Sequence, residues 1–249
     1  MADSHRAFRD AGHLPNRRPD RQPPDPAGLP RQRRGITPQM HGRYPDRDVL
    51  DEAQHWDPVT RDVVRARVDD VPERRFFTRA EFVCLCAFCD DVLAQDAEPR
   101  IPVMSFVDDK LARGRLDGFQ HVDMPDDRET WRQVAAGLDH AAHQHGAPGF
   151  AEADEPARRA IVAAFADGEL TGGVWDRLPA GTAWTVVMRA VLAAFYAHPW
   201  AWNEIGFGGP AYPRGYMRLA EGPSGAEPHE PREAFELDPV EDVQRRGLP

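Results

Sequence analysis

Three cysteines lie close together in the sequence, at Cys84, Cys86 and Cys89. Such a cluster could hold zinc or an iron–sulfur cluster, although both usually need four ligands. The surrounding pattern is helical, and residues two apart on a helix are rotated by about 200°. Cys84 and Cys86 would then point to opposite sides, while Cys86 and Cys89 share the core face. We therefore interpret all three as small core residues and predict no metal site.

A second cluster, His140, His143 and His145, could also bind a metal ion. His140 and His143 share one helix face, and Asp139 is adjacent. One interpretation is a surface metal site. The interpretation that we favour is a solvated helix end, because histidine near a helix C-terminus complements the helix dipole.

The segment 198–216 carries the most informative residues. His198, Asn203 and Glu204 could form an acid–base set. The segment has no helical or strand period, and Pro199 is predicted to end the preceding helix at His198. Long ordered loops of this kind tend to be functional. Its aromatic rings need burial, either on this domain's own helices or in another protein.

Hydrophobic periodicity predicts one all-α domain of five or six helices over about residues 48–219. Thr78 and Glu81 have the spacing of a capping box, Asp126 and Glu129 repeat that spacing, and Asp154 is a further candidate N-cap. The helical patterns cover about residues 59–68, 82–93, 103–111, 131–138, 157–165 and 184–195. The last is apolar nearly all round, which predicts that it is the buried central helix.

The flanking segments have a different composition. Residues 1–47 hold eight prolines, ten arginines and five aspartates, a local net charge of +5. The few apolar residues of this arm cannot offset the conformational entropy that the chain would lose on ordering. We therefore predict that the arm is disordered when alone. Residues 220–249 form an acidic, proline-containing tail.

Composition excludes several classes of protein. The formal net charge of −10 argues against general nucleic-acid binding. There is no apolar run of about 18 residues, so no membrane span is expected. No secretory signal is visible in the first 30 residues and only three cysteines occur, which favours the cytoplasm. No nucleotide-binding or flavin-binding fingerprint occurs, so no cofactor is expected in this chain.

The run from Phe195 to Tyr216, which contains Trp-Asn-Glu-Ile-Gly-Phe-Gly-Gly-Pro, resembles the signature of the gluconate 2-dehydrogenase subunit 3 family. Three shorter stretches also resemble that family: Phe76-Phe77-Thr78-x-x-Glu81, Trp175-Asp176-x-Leu178-Pro179 and Met188-Arg189. The stretches 35–45 and 55–57 resemble the N-terminal extension of one branch. The resemblance covers about residues 35–219.

The resemblance implies a non-catalytic small subunit. It would accompany a large FAD-dependent oxidoreductase of the glucose-methanol-choline type that oxidises sugars or sugar acids, often with a cytochrome c subunit. Exported members usually carry a twin-arginine signal, and none is visible in this sequence, so we expect that a periplasmic or membrane-associated location would require export with the partner. The residues expected to bind the large subunit, with help from the 35–57 arm, are His198, Trp200, Trp202, Asn203, Glu204, Phe207, Gly208, Gly209, Tyr212, Arg214 and Tyr216.

Two alternatives remain open at this point. One is a free-standing carbohydrate-active enzyme that uses His198 and Glu204. The other is a helical metal-binding module that uses His140 and His143.

Overall fold

The computed structural model describes residues 48–95, 98–116, 118, 120–205 and 207–210. The described residues form α-helices and 3-10 helices, which confirms the predicted all-α class. In chain order the elements are a first 3-10 helix Val49–His55, α1 Pro58–Asp69, α2 Arg79–Leu93, α3 Val103–Ala112, α4 Asp127–Gln144, α5 Glu155–Ala166, a second 3-10 helix Gly173–Asp176, α6 Ala180–Tyr196 and α7 Pro199–Ile205. The predicted arm 1–47 and the tail 220–249 lie outside the described residues, so both boundaries stay predictions.

Helix starts follow from short polar side chains, as the sequence predicts. Before α2, the Thr78 hydroxyl accepts from the Glu81 backbone N–H, and the Glu81 carboxylate accepts from the Thr78 N–H at 2.7 Å. Asp126 accepts from the Glu129 N–H at 3.0 Å before α4, and Asp154 accepts from the Ala157 N–H at 2.9 Å before α5. Each contact satisfies a backbone donor that the first turn of a helix leaves unpaired.

The main core centres on α4. This helix packs against α2, α5, α6 and the second 3-10 helix. Its buried side includes Trp131, Val134 and Leu138. At Gly137, the missing side chain lets Trp175 approach closely, and the Trp175 indole N–H donates to the Gly137 carbonyl at 3.1 Å.

The last long helix, α6, packs against α3, α4, α5 and α7, but it is not buried all round as its apolar sequence predicts. The buried positions of α6 form a narrow stripe, and some of its remaining apolar residues face outward: Leu192 is 40% exposed and Tyr196 is 37% exposed. Residues four apart share a helix face, so Leu192 and Tyr196 lie together on its outer side. An exposed apolar strip of this kind is unusual on a helix that packs against several others.

A buried carboxylate fixes the segment that leads into α2. Asp108 of α3 is fully buried, and it accepts hydrogen bonds from the backbone N–H groups of Arg75, Phe76 and Phe77. The Arg75 and Phe77 contacts measure 2.5 and 2.9 Å. Three converging N–H groups replace the water that the carboxylate loses on burial.

None of the described helices is long and apolar enough to cross a lipid bilayer.

Candidate partner-binding site

The signature segment begins with a helix, not with the irregular path predicted after His198. Residues Pro199–Ile205 form α7, and Pro199 starts this helix as well as following the end of α6. A proline ring suits the first helical turn because its fixed φ is helical and the missing N–H would be unpaired there. The His198 side chain contributes too, since its Nδ1 accepts from the Trp200 N–H at 3.2 Å.

His198 is buried at the junction of α6 and α7. Its ring lies 4.7 Å from the Trp200 ring and 6.3 Å from the Phe106 ring, centroid to centroid. Phe106, on α3, is only half-buried. Burial lowers the pKa of the His198 imidazole from 6.5 to about 4, so the ring is neutral at physiological pH. The His198 ring is buried and its Nδ1 accepts a hydrogen bond from the Trp200 N–H, so this side chain suits helix capping better than proton transfer.

Trp202 fixes the position of α7 against two other elements. Its indole N–H donates to the Tyr196 carbonyl at the end of α6, at 2.6 Å. From α1, the Arg67 guanidinium lies 5.6 Å from the indole ring centroid and donates to the Ala197 carbonyl at 2.6 Å. This cation–π contact and the two hydrogen bonds tie α1, α6 and α7 together.

Asn203 connects α7 to the start of the described chain. Its Oδ1 accepts from the Val49 backbone N–H at 2.8 Å, and its Nδ2 donates to the Asp48 carboxylate at 3.2 Å. Asp48 also caps the first 3-10 helix by accepting from the Leu50 N–H. One amide side chain therefore recognises a backbone donor and a side-chain acceptor of a segment about 150 residues away. We call residues 48–69, which hold the first 3-10 helix and α1, the strap.

The strap and α7 share a small core of their own, separate from the main core. Its buried residues are Val49, Ala53, Trp56, Val64 and Trp202. Gly209 closes one side with φ +78°, a conformation that favours glycine. A Cβ there would lie 2.8 Å from the Trp56 ring, so only glycine allows this approach. We call the surface formed by Trp202, Asn203 and Gly209 the α7 groove.

The predicted partner-binding residues therefore divide into groups. His198, Trp202, Asn203 and Gly209 are buried by the chain's own residues, so in this conformation a partner cannot contact them directly. Trp200 and Gly208 are half-buried, and Phe207 is 38% exposed. The Glu204 side chain, Tyr212, Arg214 and Tyr216 lie outside the described residues. Partner binding by the set stays a prediction.

An exposed apolar edge borders the groove. The Phe207 ring packs against the Trp202 ring at 5.4 Å, and Trp202 is bonded to Tyr196, one turn after Leu192. We call Leu192, Tyr196 and Phe207 the α6–α7 edge. Three large apolar side chains exposed along one edge suit contact with another protein surface.

The packing of the strap on α7 is the part of the site that the sequence does not predict. The sequence analysis predicts a helix over about residues 59–68 and gives the 35–57 arm a part in partner binding, but no sequence signal marks Arg67. Strap and α7 are separated by about 130 residues or more, so no local periodicity indicates that they pack together.

The cysteines of the first cluster and two histidines of the second lie against other groups of this chain. Cys84 and Cys89 are buried in the main core, and Cys86 is half-buried. Burial raises the pKa of all three thiols, that of Cys86 to about 12, which keeps them protonated. The His143 Nε2 lies 2.7 Å from the Pro148 carbonyl, and that of His140 lies 3.2 Å from the Gln144 amide nitrogen. Within the described part of the chain, no three His, Cys, Asp or Glu side chains are placed to hold a metal ion.

His198 makes stability depend on pH. Its pKa is about 4 in the folded protein against an ordinary value of 6.5, so the unfolded chain binds the proton more tightly. The stabilisation is complete above pH 6.5 and is lost as the pH falls towards 4, by about 1.4 kcal/mol per pH unit. Urea unfolding at about pH 7 and about pH 5 should give a drop about 2 kcal/mol smaller in His198→Phe than in the wild type. Equal drops would contradict a buried neutral imidazole.

A family model described as gluconate 2-dehydrogenase subunit 3 matches residues 79–209, just over half of the chain. The matched region runs from α2 through α7 to Gly209, and the strap precedes it. No curated protein and no solved structure matches the chain. With the signature helix α7 and the edge beside it inside the match, the chain belongs to the gluconate 2-dehydrogenase subunit 3 family.

Proposed function

We propose that this protein is a non-catalytic accessory subunit that binds and stabilises, or helps to mature, a large FAD-dependent sugar or sugar-acid dehydrogenase of the glucose-methanol-choline type. The observation that carries the proposal is the family match, whose description names a dehydrogenase subunit. The exposed α6–α7 edge supports it, because it offers a second protein an apolar surface at the signature segment.

In this proposal the flavin belongs to the large subunit, and a cytochrome c subunit takes the electrons. This chain contributes surface and not chemistry. His198 is buried with a lowered pKa and its Nδ1 engaged by the Trp200 N–H, which is a poor arrangement for a general base. These contacts favour the accessory role over a free-standing enzyme that uses His198 and Glu204.

If this chain binds the folded large subunit and not the unfolded one, binding stabilises the folded form by mass action. At a free concentration about a thousandfold above Kd, the gain is about 4 kcal/mol. A gain of this size is a large fraction of the stability of an ordinary domain. An accessory chain could therefore decide how much of the large subunit accumulates in folded form.

Co-expression tests the proposal. A FAD-dependent dehydrogenase of the glucose-methanol-choline type from the same organism would be produced with and without this chain, and soluble yield, bound flavin and sugar-oxidising activity would be compared. We expect this chain to co-purify with the dehydrogenase and to raise all three quantities several-fold. Equal yield and activity without co-purification would overturn the proposal, as would sugar oxidation by this chain purified alone.

A further inference from the structure

The strap is attached to the bundle through a small, separate core. Four of the five buried residues in that core belong to the strap itself, and Trp202 is the member contributed by α7. The main core is built chiefly from α2 to α6 and does not include these residues. Detaching the strap therefore uncovers Trp202 and the groove but leaves the packing of the main bundle intact. Units of this kind can open locally while the rest of a protein stays folded.

The strap also leaves two buried polar atoms unsatisfied. Within the part of the chain that the structure describes, neither the Trp56 indole N–H nor the Asp57 Oδ2 has a hydrogen-bond partner. A buried unpaired donor favours the open form, in which water can bind the group. The polar contacts that attach the strap include those of Asn203 with Asp48 and Val49, and that of Arg67 with the Ala197 carbonyl.

The family match separates groove from strap. Trp202, Asn203 and Gly209 lie inside residues 79–209, whereas the whole strap precedes that range. The groove is thus part of the shared domain, and its present occupant is an extension outside it. The strap shows the recognition chemistry. The Asn203 amide binds the Val49 backbone N–H and the Asp48 carboxylate. Beside it, Trp202 and Gly209 leave room for the side chains of Val49 and Trp56.

We propose that the strap is a detachable occupant of the α7 groove, and that an apolar segment of the large subunit takes its place when the two proteins bind. The identity of the competing segment depends on the proposed function, whereas opening of the strap does not. In the free protein the closed strap keeps Trp202 and Trp56 from water. In the complex the partner segment covers Trp202, and the released strap leaves the groove.

Hydrogen exchange of the full chain, read by mass spectrometry, tests the opening. We expect backbone amides of residues 48–69 to exchange at least about 100-fold faster than those at the centre of α4. Trp56→Ala should accelerate strap exchange at least about tenfold further and leave α4 unchanged. Gln54→Ala, an exposed position in the 3-10 helix that Trp56 follows, is the matched control and should change neither. Equal exchange of strap and α4, or acceleration of both by Trp56→Ala, would overturn the proposal.

Binding tests the competition. The FAD-loaded large subunit would be titrated against the wild type, Trp56→Ala and Gln54→Ala. Because a closed strap lowers the fraction of protein competent to bind, Trp56→Ala should lower Kd by about tenfold, and Gln54→Ala should leave it unchanged. An unchanged or raised Kd for Trp56→Ala would overturn the competition. Failure of every variant to bind would contradict the proposed function and the exchange with a partner segment, while hydrogen exchange would still decide whether the strap opens.

Discussion

Replacing Asp108 with alanine is expected to lower the free energy of unfolding by about 3 kcal/mol or more, because three backbone donors lose their common acceptor. The carboxylate is fully buried and accepts from the N–H groups of Arg75, Phe76 and Phe77. At least the Phe77 N–H is itself buried, so water cannot fully replace the lost bond. Urea unfolding followed by circular dichroism measures the effect.

Two variants distinguish the hydrogen bonds from the charge and from the helix. Asp108→Asn keeps one carbonyl acceptor in nearly the same shape, so we expect a smaller loss than for alanine. Asp109→Ala removes the neighbouring carboxylate of α3, which pairs with Arg113 at 2.8 Å near the surface. Such an i,i+4 pair contributes about 0.5 kcal/mol. If Asp108→Ala cost no more than Asp109→Ala, the backbone contacts would not stabilise the fold.

Elements governed by neighbouring residues were predictable from the sequence. The caps at Thr78, Asp126 and Asp154 depend on side chains within three residues of the donors that they satisfy. The apolar stripes of α2 and α4 depend on the helical period alone. These features indicate the fold class and the starts of the long helices.

Features that depend on distant partners were not predictable in this way. The apolar character of α6 indicates full burial, yet its outer face is part of the α6–α7 edge. Likewise, the aromatic residues of α7 indicate burial without saying by what. The strap covers Trp202 with apolar side chains that no local pattern connects to it. Asp108 gives no signal either. From the sequence its carboxylate could be buried or exposed, and only the positions of its three backbone donors in the structure show that it is buried.

The described signature residues divide into a buried group and an exposed group. The signature residues that are buried hold the strap and orient α7, and the residues that are exposed lie along one edge beside them. Substitutions in the two groups should therefore have different effects. Changes at buried positions should act on the folding of this chain and on strap closure, and through strap closure on binding, whereas changes along the edge should act on binding alone.

Phe207→Asp is expected to weaken binding of the large dehydrogenase subunit by about 30-fold or more, because burial of a central aromatic side chain at an interface contributes at least about 2 kcal/mol. A carboxylate in its place must also lose its hydration when the surfaces meet. Phe207 packs against Trp202 yet is 38% exposed, so the folded chain should tolerate the change. Titration of the FAD-loaded large subunit against the purified variant measures the affinity.

The matched control is Val122→Asp, because Val122 is 99% exposed in the loop before α4 and is not part of the α6–α7 edge. It introduces the same charge and should leave both affinity and thermal unfolding unchanged. Leu192→Asp, on the α6 side of the edge, should weaken binding in the same direction as Phe207→Asp, since one surface would cover both residues. Loss of affinity for Phe207→Asp alone would place the contact at α7 and exclude α6, and full affinity for both variants would remove the edge from the interface.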